Sequence, residues 1–244
     1  MAAKKKPISS GKKIQSSNGE VPKGRRAVII GGVRTPFVRA FGEFMLLDTI
    51  ALAGVATKAL LDKTQVPRSE LDGIVWGGVL LPTLSPNIAR EVALDLKLPA
   101  GVEGYTVTRA CASGLQAITD AVSAIERGDA DVLIAGGSDS TSNAPVNLPN
   151  KAVHALAPLA FGKAKGMQDY LGVLAQLMPL SDIMPSMPKI AERTTGEVMG
   201  ESAEKMARRN GVTRQEQDAL AARSHRLAAA AVSSGRFESE VIPV

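Results

Sequence analysis

Cys111 is the only cysteine in the 244 residues, and it stands in the run RACASGLQA, residues 109–117. The run before it, GYTVT at 104–108, has strand composition, and an apolar helix is expected from about Ala112 to Arg127. A strand–turn–helix junction lifts the side chain to the top of a sheet and puts its sulfur at a helix amino end. The dipole and unbonded N–H groups there favour the thiolate and can receive a developing oxyanion. That is the equipment of a nucleophile in acyl transfer. Gly114 is expected to let the helix approach the strand closely. Position alone leaves a buried structural cysteine as the alternative.

Other candidate residues are weaker. A cysteine nucleophile needs a base and a group to orient it. His154 falls in the loop segment NKAVHAL and His225 in the charged, solvent-facing helix AARSHRL, so neither reads as that base. VIIGGVRTP at 28–36 lacks the G-x-G-x-x-G spacing, and Pro36 falls where a phosphate-binding helix would begin. GGSDS at 136–140 has no lysine for a phosphate loop and reads as a tight turn. Met167, Met178, Met184 and Met187, with Met199 just beyond, form a Met-rich stretch. Ordinary packing leads over an adaptable binding surface there.

The elements that must position Cys111 alternate. Strands are expected at Arg26–Val33, 71–80, 104–108 and 131–137. A helix capped by Asp48 runs to about Asp62, with Leu47, Ile50, Ala51, Gly54, Val55 and Ala59 on its apolar face. Another starts at Ser85-Pro86 and ends near Lys97. This rhythm indicates a layered α/β sheet. The helix after Cys111 is apolar around most of its girth, which predicts cover on both sides. From 141 to 196 the rhythm breaks into an irregular inserted segment, with one short amphipathic helix through Leu171, Leu174, Leu177 and Met178. Helices resume at 201–209 and 214–233, the second opened by a Thr213–Glu216 capping box. A strand is expected to begin at 240–244.

Composition excludes several classes. The net charge of +5 is carried by residues 1–26, where eight basic residues face one acidic residue. The remainder is slightly acidic, so a nucleic-acid face on the fold is not expected. The tail itself, rich in Lys, Ser and Gly, reads as disordered. Binding of a polyanion by the tail is the reading it leaves open. The longest uncharged stretch, 73–89, contains Gly77, Gly78, Pro82 and Pro86 and is no membrane span. A single cysteine fits a reducing compartment.

Taken together, five segments carry a family resemblance. GGVRTPF at 31–37 resembles the opening strand and turn of thiolases. RACASGLQAI at 109–118 is similar to their acyl-accepting cysteine segment, and VLIAGGSDSTSNAP at 132–145 to the strand that follows. MGESAEKMARRNGVTRQEQDALAARSHRLAAAA at 199–231 resembles the helical pair closing their loop domain, and SGRFESEVIPV at 234–244 the approach to the last strand of their first half. PNIARE at 86–91 and AERTTGEVMG at 191–200 look most like the β-subunit of the fatty-acid oxidation complex.

The resemblance implies an N-terminal half of the layered αβαβα thiolase fold with an inserted loop domain and the C-terminal half absent. It divides the chain into a basic tail (1–25), an α/β core (26–140), a loop domain (141–196) and a return to the core (197–244). The implied reaction is cleavage of 3-ketoacyl-CoA by CoA to acetyl-CoA and a shortened acyl-CoA, through an acyl group on Cys111. The Cys111 backbone N–H would help bind the oxyanion, and Met199 matches a position lining the pantetheine and acyl pocket. Coenzyme A is then a substrate; no cofactor and no metal is implied. The implied partners are acyl-CoA and CoA, a further copy of the protein, and an α-subunit of a β-oxidation complex, in the bacterial cytoplasm or alternatively the mitochondrial matrix.

This sequence departs from the family pattern at several places. Val198 stands where many biosynthetic thiolases have His, which fits a longer acyl chain, and Asp139 stands where many have Glu. Thiolases continue into a second half with an Asn motif, a GHP-like His and a C-x-G cysteine, none of which occurs here. The chain alone is therefore expected to expose apolar surface, to be unstable or aggregate, and to be inactive. A truncated non-catalytic protein or scaffold subunit is the competing reading. A ketoacyl synthase fits worse, because those enzymes lack the Arg34-Thr35-Pro36 opening and a loop domain of this kind.

Overall fold

The computed structural model describes residues 24–185 and 190–244. Residues 1–23 of the expected basic tail, and Met187, lie outside the described residues, while Arg25 at the tail's end donates to the Ala130 carbonyl at 2.8 Å and pairs with Asp131. Asp48 starts helix α1 (Thr49–Thr64), its carboxylate accepting the Ala51 N–H at 2.7 Å. Strand β1 (Gly73–Gly77) follows, then helix α2 (Ile88–Asp95), strand β2 (Glu103–Val107), helix α3 (Ser113–Arg127) and strand β3 (Leu133–Gly137). The three strands form one parallel sheet in the order β2-β1-β3. Parallel pairing with a helix in each connection is the layered α/β arrangement that the alternation indicates.

β1 is central and buried along its whole length. Ile74 and Trp76 point to one face, into a core with Ala53, Leu61, Ile88 and Val92 from α1 and α2. Val75 points to the other, against Ala117 and Ala121 of α3. Period-two alternation thus sends successive β1 side chains into two different cores.

Local chemistry differs from expectation at several points. The buried stripe of α1 is Thr49, Ala53, Thr57 and Leu61, not the more apolar Leu47–Ala59 face. Two threonines occupy an i, i+4 row that hydropathy alone passes over. Asn87, rather than Ser85, caps α2, accepting the Arg90 N–H at 3.2 Å. The run 26–33 is not a buried strand of the sheet. Val28, Ile29 and Ile30 are each more than 70% exposed, and an apolar cavity of about 300 Å³ separates the run from β3. Residues 240–244 likewise form a single bridge, Val241 with Arg34, instead of a strand.

That bridge joins the two ends of the described chain. Arg34 N–H donates to Glu240 O (2.8 Å) and Ile242 N–H to Arg34 O (3.0 Å). The Arg34 side chain reinforces it, with Nε 3.0 Å from Glu240 Oε1 and its guanidinium about 5 Å from the Phe37 and Phe237 ring centres.

Within 141–196 lie two helices, α4 (Asn150–Ala160) and α5 (Met167–Gln176). α5 is the expected short helix, but Val173 is its buried residue, while Leu171, Leu174 and Met178 are exposed. Helices α6 (Met199–Arg209) and α7 (Arg214–Ser233) follow, and α7 opens with the expected capping box. α7 buries no residue. α3 packs its Ser113, Ala117 and Ala121 face on the sheet and leaves Leu115 exposed on the far side, so one of its two expected covers is present. No helix among the described residues is long and apolar enough to cross a membrane.

Candidate active site

Cys111 occupies the turn between β2 and α3 and is exposed. The turn is held from within. Ala112 N–H donates to Arg109 O, and Ser113 N–H to Ala110 O, both at 3.1 Å. The Ser113 hydroxyl accepts the Arg109 N–H at 2.8 Å and donates to Ala110 O at 2.6 Å. Ala110 has φ +46°, a left-handed value unusual for a residue with a Cβ.

The helix that follows sits flush on the sheet because glycines lie beneath it. A Cβ placed on Gly77, the last residue of β1, would fall 2.5 Å from the Ser113 carbonyl carbon and oxygen and 2.7 Å from Gly114 N. One placed on Gly137, the last residue of β3, would fall 2.9 Å from Gly77 O and 3.4 Å from Gly114 Cα. The close approach expected of Gly114 is therefore supplied by Gly77 and Gly137; a Cβ on Gly114 meets nothing within 4 Å.

No side chain caps α3, whose N-cap position is Ala112. The Ser113 N–H is taken up by Ala110 O, so the amides of Gly114 and Leu115 and the positive end of the dipole are what this helix end, just after Cys111, offers an anionic ligand. In front of them opens a cavity of about 580 Å³, lined among others by Arg34, Phe37, Cys111, Ser138 and Asp139.

Part of the same cavity's lining is a hydrogen-bonded frame. Trp76 Nε1–H donates to Ser138 Oγ (2.8 Å), whose hydroxyl donates to Thr49 O (2.9 Å). Asp139 accepts the Val79 and Leu80 N–H groups at 2.9 and 2.6 Å, tying the loop after β1 to the end of β3. The sequence reading missed this frame; the serines and aspartate of GGSDS, read as a tight turn, were its signal. Thr57 also lines the cavity, and its hydroxyl is the one buried side-chain polar atom without a hydrogen-bond partner among the described residues.

Groups for proton transfer do not gather here. Among the described residues lining the cavity there is no histidine. His154 is exposed on α4, a helix where a loop was expected, and His225 is exposed on α7. Met199 is the first residue of α6, 56% exposed, and does not line this cavity. The arrangement sets an exposed cysteine just before a helix amino end, with no histidine among the described residues lining the cavity.

Residues 27–244 match the family model described as thiolase, N-terminal domain. A protein from Aliivibrio fischeri named 3-ketoacyl-CoA thiolase is 42% identical over 219 residues, which cover 90% of this chain and 49% of that protein. One of the same name from Pseudoalteromonas translucida is 37% identical over 223 residues, 91% of this chain and 50% of that protein. Among solved structures, the Bacillus anthracis acetyl-CoA acetyltransferase superposes with a TM-score of 0.72 at 28% identity, covering 90% of this chain and 51% of that one. Acat5 thiolase from Ascaris suum, solved in complex with coenzyme A, gives 0.71 at 27% identity, covering 87% and 50%. The chain spans about half the length of the curated relatives it matches.

Proposed function

The chain belongs to the thiolase family over residues 27–244, and from that premise we propose that it carries the nucleophilic half of a 3-ketoacyl-CoA thiolase. The observation that carries this reading is Cys111, exposed on a braced turn at the uncapped amino end of α3. The Cys111 sulfur attacks the 3-keto carbon of a 3-ketoacyl-CoA. The bond between C2 and C3 breaks, its electron pair and a proton leave with acetyl-CoA, and the shortened acyl group stays on sulfur as a thioester. The thiol of a second CoA then takes the acyl group and frees Cys111. Both steps pass through an oxyanion, which in this scheme the remaining first-turn amides of α3 stabilise.

Each step also moves a proton, and the described cavity lining offers no histidine for it. The second half of a thiolase supplies that group in this scheme, so the 244-residue chain alone is inactive. Coenzyme A is a substrate, and neither metal nor prosthetic group takes part. A further copy of the completed protein and the α-subunit of a β-oxidation complex are its partners, in the bacterial cytoplasm or the mitochondrial matrix.

Intact mass after exposure to a 3-ketoacyl-CoA, beside a Cys111→Ala control, tests the reading. The expected result is no adduct on the chain alone and one acyl group on Cys111 once the C-terminal half of a relative is supplied. An adduct on the chain alone would remove the need for a second half. No adduct under either condition would leave a non-catalytic thiolase-like protein.

A further inference from the structure

We propose that Ser113 is a positioning residue for Cys111, acting by holding Ala110 in the left-handed conformation that turns the chain from β2 into α3. The inference rests on the acyl-transfer reading above and adds a residue to it.

An alanine at φ +46° crowds its own Cβ against the backbone, so the conformation persists only where neighbours enforce it. The Ser113 hydroxyl is that neighbour. It accepts from the Arg109 N–H, one peptide unit before the one that enters Ala110, and donates to the Ala110 carbonyl, so one side chain ties together backbone groups that bracket the strained residue. Ser113 is 4% exposed, so water has little access to replace either bond. It cannot retreat, because Gly77 lies against its carbonyl. Cys111 follows Ala110 directly, and its direction is set by the φ and ψ of that residue. Ser113 does not touch the sulfur; it acts through the turn.

This gives a specific rescue. Glycine adopts positive φ without a steric penalty, so Ala110→Gly should make the Ser113 hydroxyl dispensable. The readout is the rate of Cys111 alkylation by iodoacetamide on the 244-residue chain at fixed pH, with far-UV circular dichroism reporting the fold. Ser113→Ala is expected to slow alkylation about fivefold, as the sulfur leaves the helix amides. The double variant Ala110→Gly/Ser113→Ala should return to within about twofold of the parent.

A folded Ser113→Ala chain alkylated at the parental rate would overturn the proposal, as would a double variant that stays slow. If Ser113→Ala alone does not fold, the double variant decides: a folded, fast chain supports the proposal, and anything else overturns it. Alkylation uses no acyl-CoA. A chain that never accepts an acyl group can therefore still show the Ser113 effect, and the effect can fail while acylation stands.

Discussion

Gly77 and Ser113 meet backbone to backbone, at a distance that leaves no room for a single methyl group between them. The contact seats the start of α3 on the end of β1 and so fixes the height of Cys111 above the sheet.

Gly77→Ala should therefore force the first turn of α3 off the strand, because the obstructing atoms are backbone and cannot swing away. A loss of about 1–3 kcal/mol is expected in urea denaturation, with slower alkylation of Cys111. Gly114→Ala, which meets open space, should be neutral or gain about 0.5–1 kcal/mol. Equal midpoints for the two variants would show that the close contact is not maintained in solution.

Ser138→Ala removes the acceptor of the buried Trp76 indole N–H and frees the Thr49 carbonyl at the same time. Leaving a buried donor unpaired costs about 1–3 kcal/mol. Trp76 is the only tryptophan, so its emission reports this change without interference. An unaltered emission maximum with unaltered stability would contradict the hydrogen bond.

Thr57→Val tests the opposite case. The hydroxyl is buried and unpartnered, so replacing it with a methyl group of similar shape should raise stability by up to about 1 kcal/mol. Destabilisation would mean that the hydroxyl has a partner in solution.

Acid should loosen the start of α7. The Glu216 carboxylate accepts from the Thr213 backbone N–H and hydroxyl, which holds its pKa below the usual glutamate value. Its folded value lies below its unfolded one, so its contribution is present above the unfolded value and is lost as pH falls through the folded value. Helical ellipticity of the parent should fall more than that of Glu216→Gln as pH drops from about 5 to about 3. Parallel titration curves would dismiss the capping role.

The β1, β2 and β3 strands were legible because GIVWG, EGYTV and LIAGG alternate with helices, and the capping signals of α1 and α7 are local. The Cys111 turn was legible for the same reason. What escaped depends on distant neighbours. Nothing in Val28–Ile30 says which edge the run will face. α4 was masked by Pro158 inside it. The left-handed Ala110 has no glycine or asparagine to announce it; it is imposed by Ser113, which is itself pinned by Gly77. Likewise the frame of Ser138 and Asp139 exists only once β1 and β3 lie side by side.

The clasp of Arg34 by Phe37, Phe237 and Glu240 sets a timetable for synthesis. Its partners are 206 residues apart in the chain. At about 5–20 residues per second, a ribosome takes roughly 10–40 s to deliver Glu240 after Arg34. The sheet, α1, α2 and α3 can assemble during that interval from nearer neighbours. Throughout it the run from Val28 to Ile30 lacks the anchor that Arg34 makes with Glu240.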